Sequence, residues 1–342
     1  LGSNDPKTWD QIEAIRKRPS MYVGDAGLFG LIHYLVCPVS LLLERHPTRI
    51  GIEAGDDGFA VEADVVVPIE DAPDDRIAPF EAVPTGEPGR HFEGAILTAL
   101  SAHLSIEVRS GSRAERLEFR QGTRESRSVE AIEPAGDRTT LRFAPDPEFF
   151  QVTDLDPTVF ASFARRNSAL HRGVRFTVSA GGTRHEFVSD RGIADLFDAV
   201  SAPYQIMHQP IRIASEDGPL TLEAVFAYQS WKDDTLWCFI NNGRAVEGGT
   251  HEDGVREALR TLSTTLKPPN GLSNGVVGVV SICYPQATFE GCIKARIGNP
   301  ELRELVRDLF LRESLVWLDT HPEATVRLRQ LRTFTFPDWW TQ

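Results

Sequence analysis

Ile12-Glu13-Ala14-Ile15-Arg16-Lys17-Arg18-Pro19-Ser20-Met21-Tyr22-Val23-Gly24 is the stretch from which the rest of the chain can be read. Its first half has helical spacing, with Ile12 and Ile15 on one side and Thr8 or Asp10 placed to cap a helix over 8–18. Pro19 should end that helix near Arg18, because its ring disfavours helical backbone in the preceding residue. Met21-Tyr22-Val23-Gly24 then reads as a short extended piece closing on a glycine. Residues 28–45 form a second helical pattern, with Leu31, Leu35, Leu42 and Leu43 as core candidates. Pro38 inside it predicts a kink or a split.

Further out, the period changes. Arg49 to Ala54 alternates, Asp56-Asp57-Gly58 is a hairpin turn, and Phe59 to Val67 makes the return strand. Residues 70–92 are rich in Pro, Gly, Asp and Glu without periodicity, which predicts a surface loop. Phe92 to His103 reads as a helix. Strands are expected at 105–110, 113–121, 125–132 and 139–143, a helix at 157–167 and a hairpin around Gly181-Gly182. A short helix at 192–200 precedes strands at 206–214, 220–228, 237–241 and 275–283. Helices over 252–267 and 300–318 complete the pattern.

The chain has 342 residues, which at roughly 150 residues per domain suggests two domains. The natural cut is near 200–205, giving 1–203 and 204–342. Lys plus Arg is 36 and Asp plus Glu is 49, a net charge of −13. That argues against a large non-specific nucleic-acid surface, which needs a basic field. Cys37, Cys238, Cys283 and Cys292 form no CxxC and no zinc spacing. They read as reduced core residues of a cytoplasmic protein. No apolar run reaches 18 residues, so no membrane span is expected. Leu1-Gly2-Ser3-Asn4-Asp5 has no signal-peptide character, and Gly2-Ser3 reads as a cloning scar.

Three motifs carry a family resemblance. The run Ile12 to Gly24 closely resembles the opening of the ATPase region of DNA gyrase B and its topoisomerase IV counterpart. Phe239-Ile240-Asn241-Asn242-Gly243-Arg244-Ala245-Val246-Glu247-Gly248-Gly249-Thr250-His251 looks like the segment that opens the long helix of that family's transducer domain. Val279 to Cys283, followed by Pro285, Phe289 and Lys294, resembles the strand and loop holding a phosphate-contacting lysine. The resemblance covers roughly residues 9–325. It implies a GHKL-type (Bergerat) α/β sandwich, followed by a ribosomal-protein-S5-like α/β transducer domain. In the family, ATP dimerises this region and closes a gate on DNA. Arg16-Lys17-Arg18 opens the family fold just before Pro19, so a structural latch is its ordinary reading.

The chemistry that the resemblance implies is less complete than the fold. ATP hydrolysis of this kind needs an acidic base, oxygen ligands for magnesium, a glycine nest for phosphates and a carboxylate reading adenine. Aligning Gly30-Leu31 with the family's Gly-Leu puts Cys37 at the base and Leu41 at the magnesium-holding asparagine. Glu44 lies about two turns from Cys37, roughly 10 Å away, a poor substitute. The family's Asp-Asp-Gly-x-Gly-Ile-Pro run is here Ala63-Asp64-Val65-Val66-Val67-Pro68. Asp64 is at most a remnant of the adenine aspartate. Thr85 to Gly94, with Gly86, Gly89 and Gly94 dispersed, replaces the family's glycine-rich lid. Thr139 matches a pocket threonine and Lys294 the transducer lysine, while Cys292 stands where the family has glutamine. A strand threonine is usually a plain β-former, and a lone loop lysine is usually solvated.

Four requirements fail together. The expectation is therefore a non-catalytic gyrase-B-like protein, with no catalytic residue, no metal ligand and no cofactor. Its role would be structural, regulatory or assembly-related in a topoisomerase-like or DNA-associated system. The alternative is an ATP-dependent type II topoisomerase fragment with a divergent nucleotide site. A protein partner or self-association through the transducer-like half is expected, with DNA contact indirect and no membrane contact. Loss of nucleotide and of a family-type N-terminal arm favours a monomer or a different interface. Trp339-Trp340 packs on the chain's own transducer helix or marks a contact. His33 reads as core or edge, Arg165-Arg166 as a solvated face, and Ser40 has no His/Asp partners. His171, His208 and His251 are too scattered for a metal site.

Overall fold

In the computed structural model the first helix, α1 (Gln11–Lys17), is followed at once by a second, α2 (Ser20–Val23). The expected extended piece at 21–24 is thus helical. Pro19 is the reason: it sits at the N-cap of α2 with φ −58° and ψ −37°, a conformation that starts a helix as readily as it ends one. The structure describes residues 11–55, 58–69, 80, 93–151, 157–229, 233–267, 275–290 and 295–330. The expectations for Asp56-Asp57, for most of the 70–92 loop and lid, for Cys292 and Lys294, and for Trp339-Trp340 lie outside these residues.

α3 (Leu28–Leu43) runs through Pro38 as one helix. The proline removes one intrahelical bond, but Leu35, Val39, Leu41 and Leu42 are buried around it, and that packing holds both halves in line. The N-terminus of α3 is fixed by Asp25, whose Oδ1 accepts from Gly27 N and Gly30 N, each at 2.8 Å. Gly30 admits no side chain: a Cβ there would lie 1.9 Å from the Asp25 carbonyl oxygen.

β1 (Arg49–Gly55) and β2 (Gly58–Ala63) form the expected hairpin. α4 (Glu93–Leu100) ends before His103, which instead lies on β3 (Ser101–Arg120). β3 pairs with β4 (Thr123–Pro145) in one long hairpin, where four separate strands were expected. The hairpin has register shifts around Gly111, whose φ is +57°. There it doubles back. Gln121 N donates to Ala102 O, and Arg116 and Ser105 of opposite limbs reach Glu107 and Glu118. The returning limb buries Leu117 and Phe119. α5 (Pro157–Leu170), β5 (Arg175–Ala180) and β6 (Thr183–Phe187) complete a six-stranded sheet of order β3-β4-β2-β1-β5-β6. β1 and β5 are parallel, the rest antiparallel.

The chain divides into two compact units. Residues 1–168 and 173–189 make the first; 169–172 and 190–342 make the second. The helix α6 (Ile193–Ser201), assigned to the N-terminal domain by the cut at 203/204, packs in the second unit. There β7 (Ile211–Asp217), β8 (Leu220–Tyr228), β9 (Thr235–Ile240), α7 (Thr250–Leu266) and β10 (Val276–Cys283) build a four-stranded sheet of order β7-β8-β10-β9 with its helices. β11 (Phe289–Glu290) and β12 (Arg296–Ile297) pair with each other, and α8 (Pro300–Thr320) and α9 (Pro322–Gln330) end the described chain. Strand alternation sorts the core. Phe226, Val280 and Ile282 face one cluster with α7 and α8, while Val225, Val277 and Val279 face another with α6. β10 is mostly apolar because both of its faces are covered over most of its length. α7 and α8 cross closely at Gly254, where a Cβ would meet Arg303 O at 2.5 Å.

Candidate functional site

The residues singled out for nucleotide chemistry come from α3, from the segment after β2 and from the end of β4. In α3, Cys37 and Leu41 are one turn apart and both buried. The Cys37 thiol donates to His33 O at 3.4 Å, the usual fate of a polar group on a helix interior position. Val65, Val67 and Ile69 are buried in the same cluster as Cys37 and Leu41, and so is Phe80.

Thr139 is fully buried. Its hydroxyl donates to Val65 O at 2.8 Å and accepts from Val67 N at 3.0 Å. A hydroxyl has one proton to give, and here it goes to backbone. Thr139 therefore stitches the 65–67 segment to β4. Asp64 is directed elsewhere. Oδ1 accepts from Thr48 N at 2.9 Å and Arg49 N at 3.0 Å, and Oδ2 accepts from the Thr48 hydroxyl. Partial burial alone would raise the Asp64 carboxyl pKa. The Thr48 hydroxyl and the Arg49 and Thr48 N–H groups outweigh it and hold the pKa below its ordinary value. Asp64 thus pins the start of β1. Beside the Cys37–Leu41 stripe, α3 and α5 leave a cavity of about 20 Å³ against the sheet, lined by Ile32, Leu35, Val39, Phe59, Phe143 and Phe160 among others. Its lining is apolar, so even a water would lack partners there.

Arg16, from the basic run, forms a latch. Its guanidinium donates to Ala99 O at 2.7 Å, to Asp146 Oδ2 at 3.2 Å and to Glu148 Oε2 at 2.9 Å, and lies 4.6 Å from the centre of the Phe149 ring. It ties α1 to the end of α4 and to the turn after β4. Lys17 pairs with Glu13 on its own helix.

In the second unit, the described residues on either side of 291–294 are held by hydrogen bonds. The Asn241 amide donates to Tyr284 O and accepts from Tyr284 N. Asn299 accepts from Thr288 N and donates to Gln286 O. Beyond Lys294, Glu247 N donates to Ala295 O and Ile297 N to Gly248 O. Gly249 (φ +131°) lies against β12, where a Cβ would meet Ile297 O at 2.4 Å. The glycines of the Gly-Gly-Thr-His stretch thus serve a close backbone approach. Sequence reading singled out neither asparagine's role; the only signal was asparagine near a strand end, which many turns share. His208 and His251 are buried apart from each other. His208 donates through Nδ1 to Gln209 O and accepts from Tyr228 N at Nε2, while neither His251 nitrogen has a partner among the described residues. Burial lowers both imidazole pKa values to about 4. Among the described residues no three His, Cys, Asp or Glu side chains group as for a metal, and no helix is long and apolar enough to cross a membrane.

Comparison with known proteins adds independent findings. Residues 192–331 match the family model described as DNA gyrase B. The DNA gyrase B protein of Archaeoglobus fulgidus is 25% identical over 94% of this chain. The chain covers 56% of that relative, so it spans about half the length of the full proteins it matches. The 43K ATPase domain of Thermus thermophilus gyrase B, solved with an aminocoumarin, superposes with a TM-score of 0.76 at 21% identity, covering 93% of each chain. The ATPase region of Saccharomyces cerevisiae topoisomerase II gives 0.66 at 16% identity, covering 95% of this chain and 99% of that one. The three comparisons point the same way: this chain has the α/β fold of gyrase B and topoisomerase ATPase regions, and its sequence is similar to DNA gyrase B proteins along most of its length.

Proposed function

We propose that this chain is a non-catalytic gyrase-B-like protein, in which the nucleotide cleft has become core. The supporting observation is the single buried cluster that contains Cys37, Leu41, Val65, Val67 and Ile69. Those are the positions where the resemblance calls for the base, the magnesium ligand and the adenine loop. The residues present do not fit magnesium: leucine has no donor atom, and magnesium prefers oxygen over sulfur. Asp64 and Thr139 survive in sequence but spend their polar atoms on backbone and on the Thr48 hydroxyl. Lys294 is then a leftover with no triphosphate to contact.

In this reading the first unit is a degenerate ATPase-like domain and the second, which takes in α6, a transducer-like one. The role is structural, regulatory or assembly-related, through a protein partner or self-association, in the cytoplasm. Contact with DNA is indirect, as the charge of −13 favours. The second reading, a fragment of an ATP-dependent topoisomerase, has one observation behind it: the matched relatives are DNA gyrase B proteins along nearly the whole chain. A phosphate-release assay with radiolabelled ATP, magnesium and DNA separates the two. The proposal expects no release above the buffer blank; turnover abolished by Lys294→Ala would establish the second reading instead.

A further inference from the structure

Among the described residues, β6 is the outermost strand of the first sheet and pairs on one side only, with β5. Thr183, Arg184, His185 and Glu186 are all exposed, so its other edge presents backbone N–H and C=O groups that no described strand pairs. Side chains alternate along it. Phe187 and His185 share one face, with ring centres 6.4 Å apart, and Arg165 of α5 lies over Phe187 at 5.6 Å. Arg184 and Glu186 share the opposite, outer face. Glu186 is ion-paired with Arg175 of β5. Arg184 has no ion-pair partner among the described residues.

We propose that β6 is a docking edge for a second copy of this chain, the two strands pairing antiparallel about His185. In an antiparallel pair, residues directly opposite lie on the same face. Centring on His185 sets Arg184 against Glu186 of the second copy, and Glu186 against its Arg184. Both unions fall on the outer face, where Arg175 already flanks Glu186. Centring one residue earlier sets Arg184 against Arg184; one residue later, Glu186 against Glu186. The charge pattern therefore selects one register. An edge built only to refuse partners would carry like charges or a proline. Thr183-Arg184-His185-Glu186-Phe187 is instead complementary to itself. The strand is short, so the association is of the weak, concentration-dependent class. This inference stands apart from the nucleotide reading, since no residue of the cleft takes part.

The test is sedimentation of the full chain over a concentration series reaching about 1 mM, the range of weak association. It includes the variants Arg184→Glu and Glu186→Arg, alone and mixed in equal amounts. Each variant alone sets two like-charged pairs across the axis. The mixture allows a heterodimer in which both pairs are opposite again. The wild type should dimerise, each variant alone should associate about tenfold or more weakly, and the mixture should return to near the wild-type value. A wild type that stays monomeric throughout, variants that dimerise as well as wild type, or a mixture that fails to recover would each overturn the proposal.

Discussion

Removing the Arg16 guanidinium should loosen the first unit and leave the second unchanged. Asp146 is the reason. Its side chain is 2% exposed, Arg16 is 19% exposed, and the two are 3.2 Å apart. Asp146 Oδ1 accepts the Glu148 N–H at 3.0 Å, a neutral donor, so Arg16→Met strands a buried carboxylate without its counter-charge. Breaking one side of a buried pair costs about 3–5 kcal/mol. The Glu148 branch adds little, because that carboxylate is 62% exposed and an exposed pair contributes about 1 kcal/mol at most. Methionine keeps the stem against Phe149, so the loss is mostly electrostatic. Hydrogen exchange read by mass spectrometry resolves the units: protection in α1, α4 and β3–β4 should fall by the equivalent of about 3 kcal/mol. Protection in α7, β8 and β10 of the second unit should not change. Asp146→Asn in the Arg16→Met background should restore about 1 kcal/mol or more, since removing both charges removes the penalty. A loss under about 1 kcal/mol, or strict additivity of the two changes, would refute the latch.

Other consequences follow from single contacts. Gly30→Ala would drive a Cβ to 1.9 Å from Asp25 O, and relief means breaking the Asp25 cap; chemical denaturation should show a loss of about 2 kcal/mol or more. Thr139→Val keeps shape but orphans Val65 O and Val67 N, for a loss of about 1–3 kcal/mol by the same measurement. Acid should weaken the second unit. His208 and His251 titrate near 4 in the folded chain and near 6.5 unfolded. The unfolded state binds more protons between those values, so stability is full above about pH 6.5 and falls down to about pH 4. The loss is at most about 3 kcal/mol for each imidazole, and His208→Gln should flatten that slope in a pH series of Trp-detected melts.

The sequence disclosed the order of elements through periodicity and punctuation. The change from helical spacing at 28–45 to alternation at 49–54 located α3 and β1, and the turn at 56–58 located the hairpin. What it misread were proline and distance. Pro19 looked like a stop and is also a start, because its fixed φ suits a first helical position. Pro38 looked like a break, yet burial on both sides of it outweighs one missing hydrogen bond. The four strands between 105 and 143 are limbs of one bent hairpin; local alternation marks each limb but not the register shifts at Gly111. For the candidate site, Cys37 and Leu41 could be placed by counting from Gly30. The destination of Asp64 could not: only the folded chain puts Thr48 and Arg49 within reach of its carboxylate. The tight fit of Gly30 and Gly249 was equally hidden, since it depends on carbonyls of Asp25 and Ile297.

Whether the cleft is filled is tested most directly by calorimetric titration of the full chain with a non-hydrolysable ATP analogue and magnesium. A filled cleft predicts no binding heat up to about millimolar ligand, weaker than roughly −4 kcal/mol. A saturable isotherm with a micromolar Kd, about −8 kcal/mol, that is lost in Thr139→Val would contradict it, because Thr139 would then be serving a nucleotide rather than the 65–67 backbone.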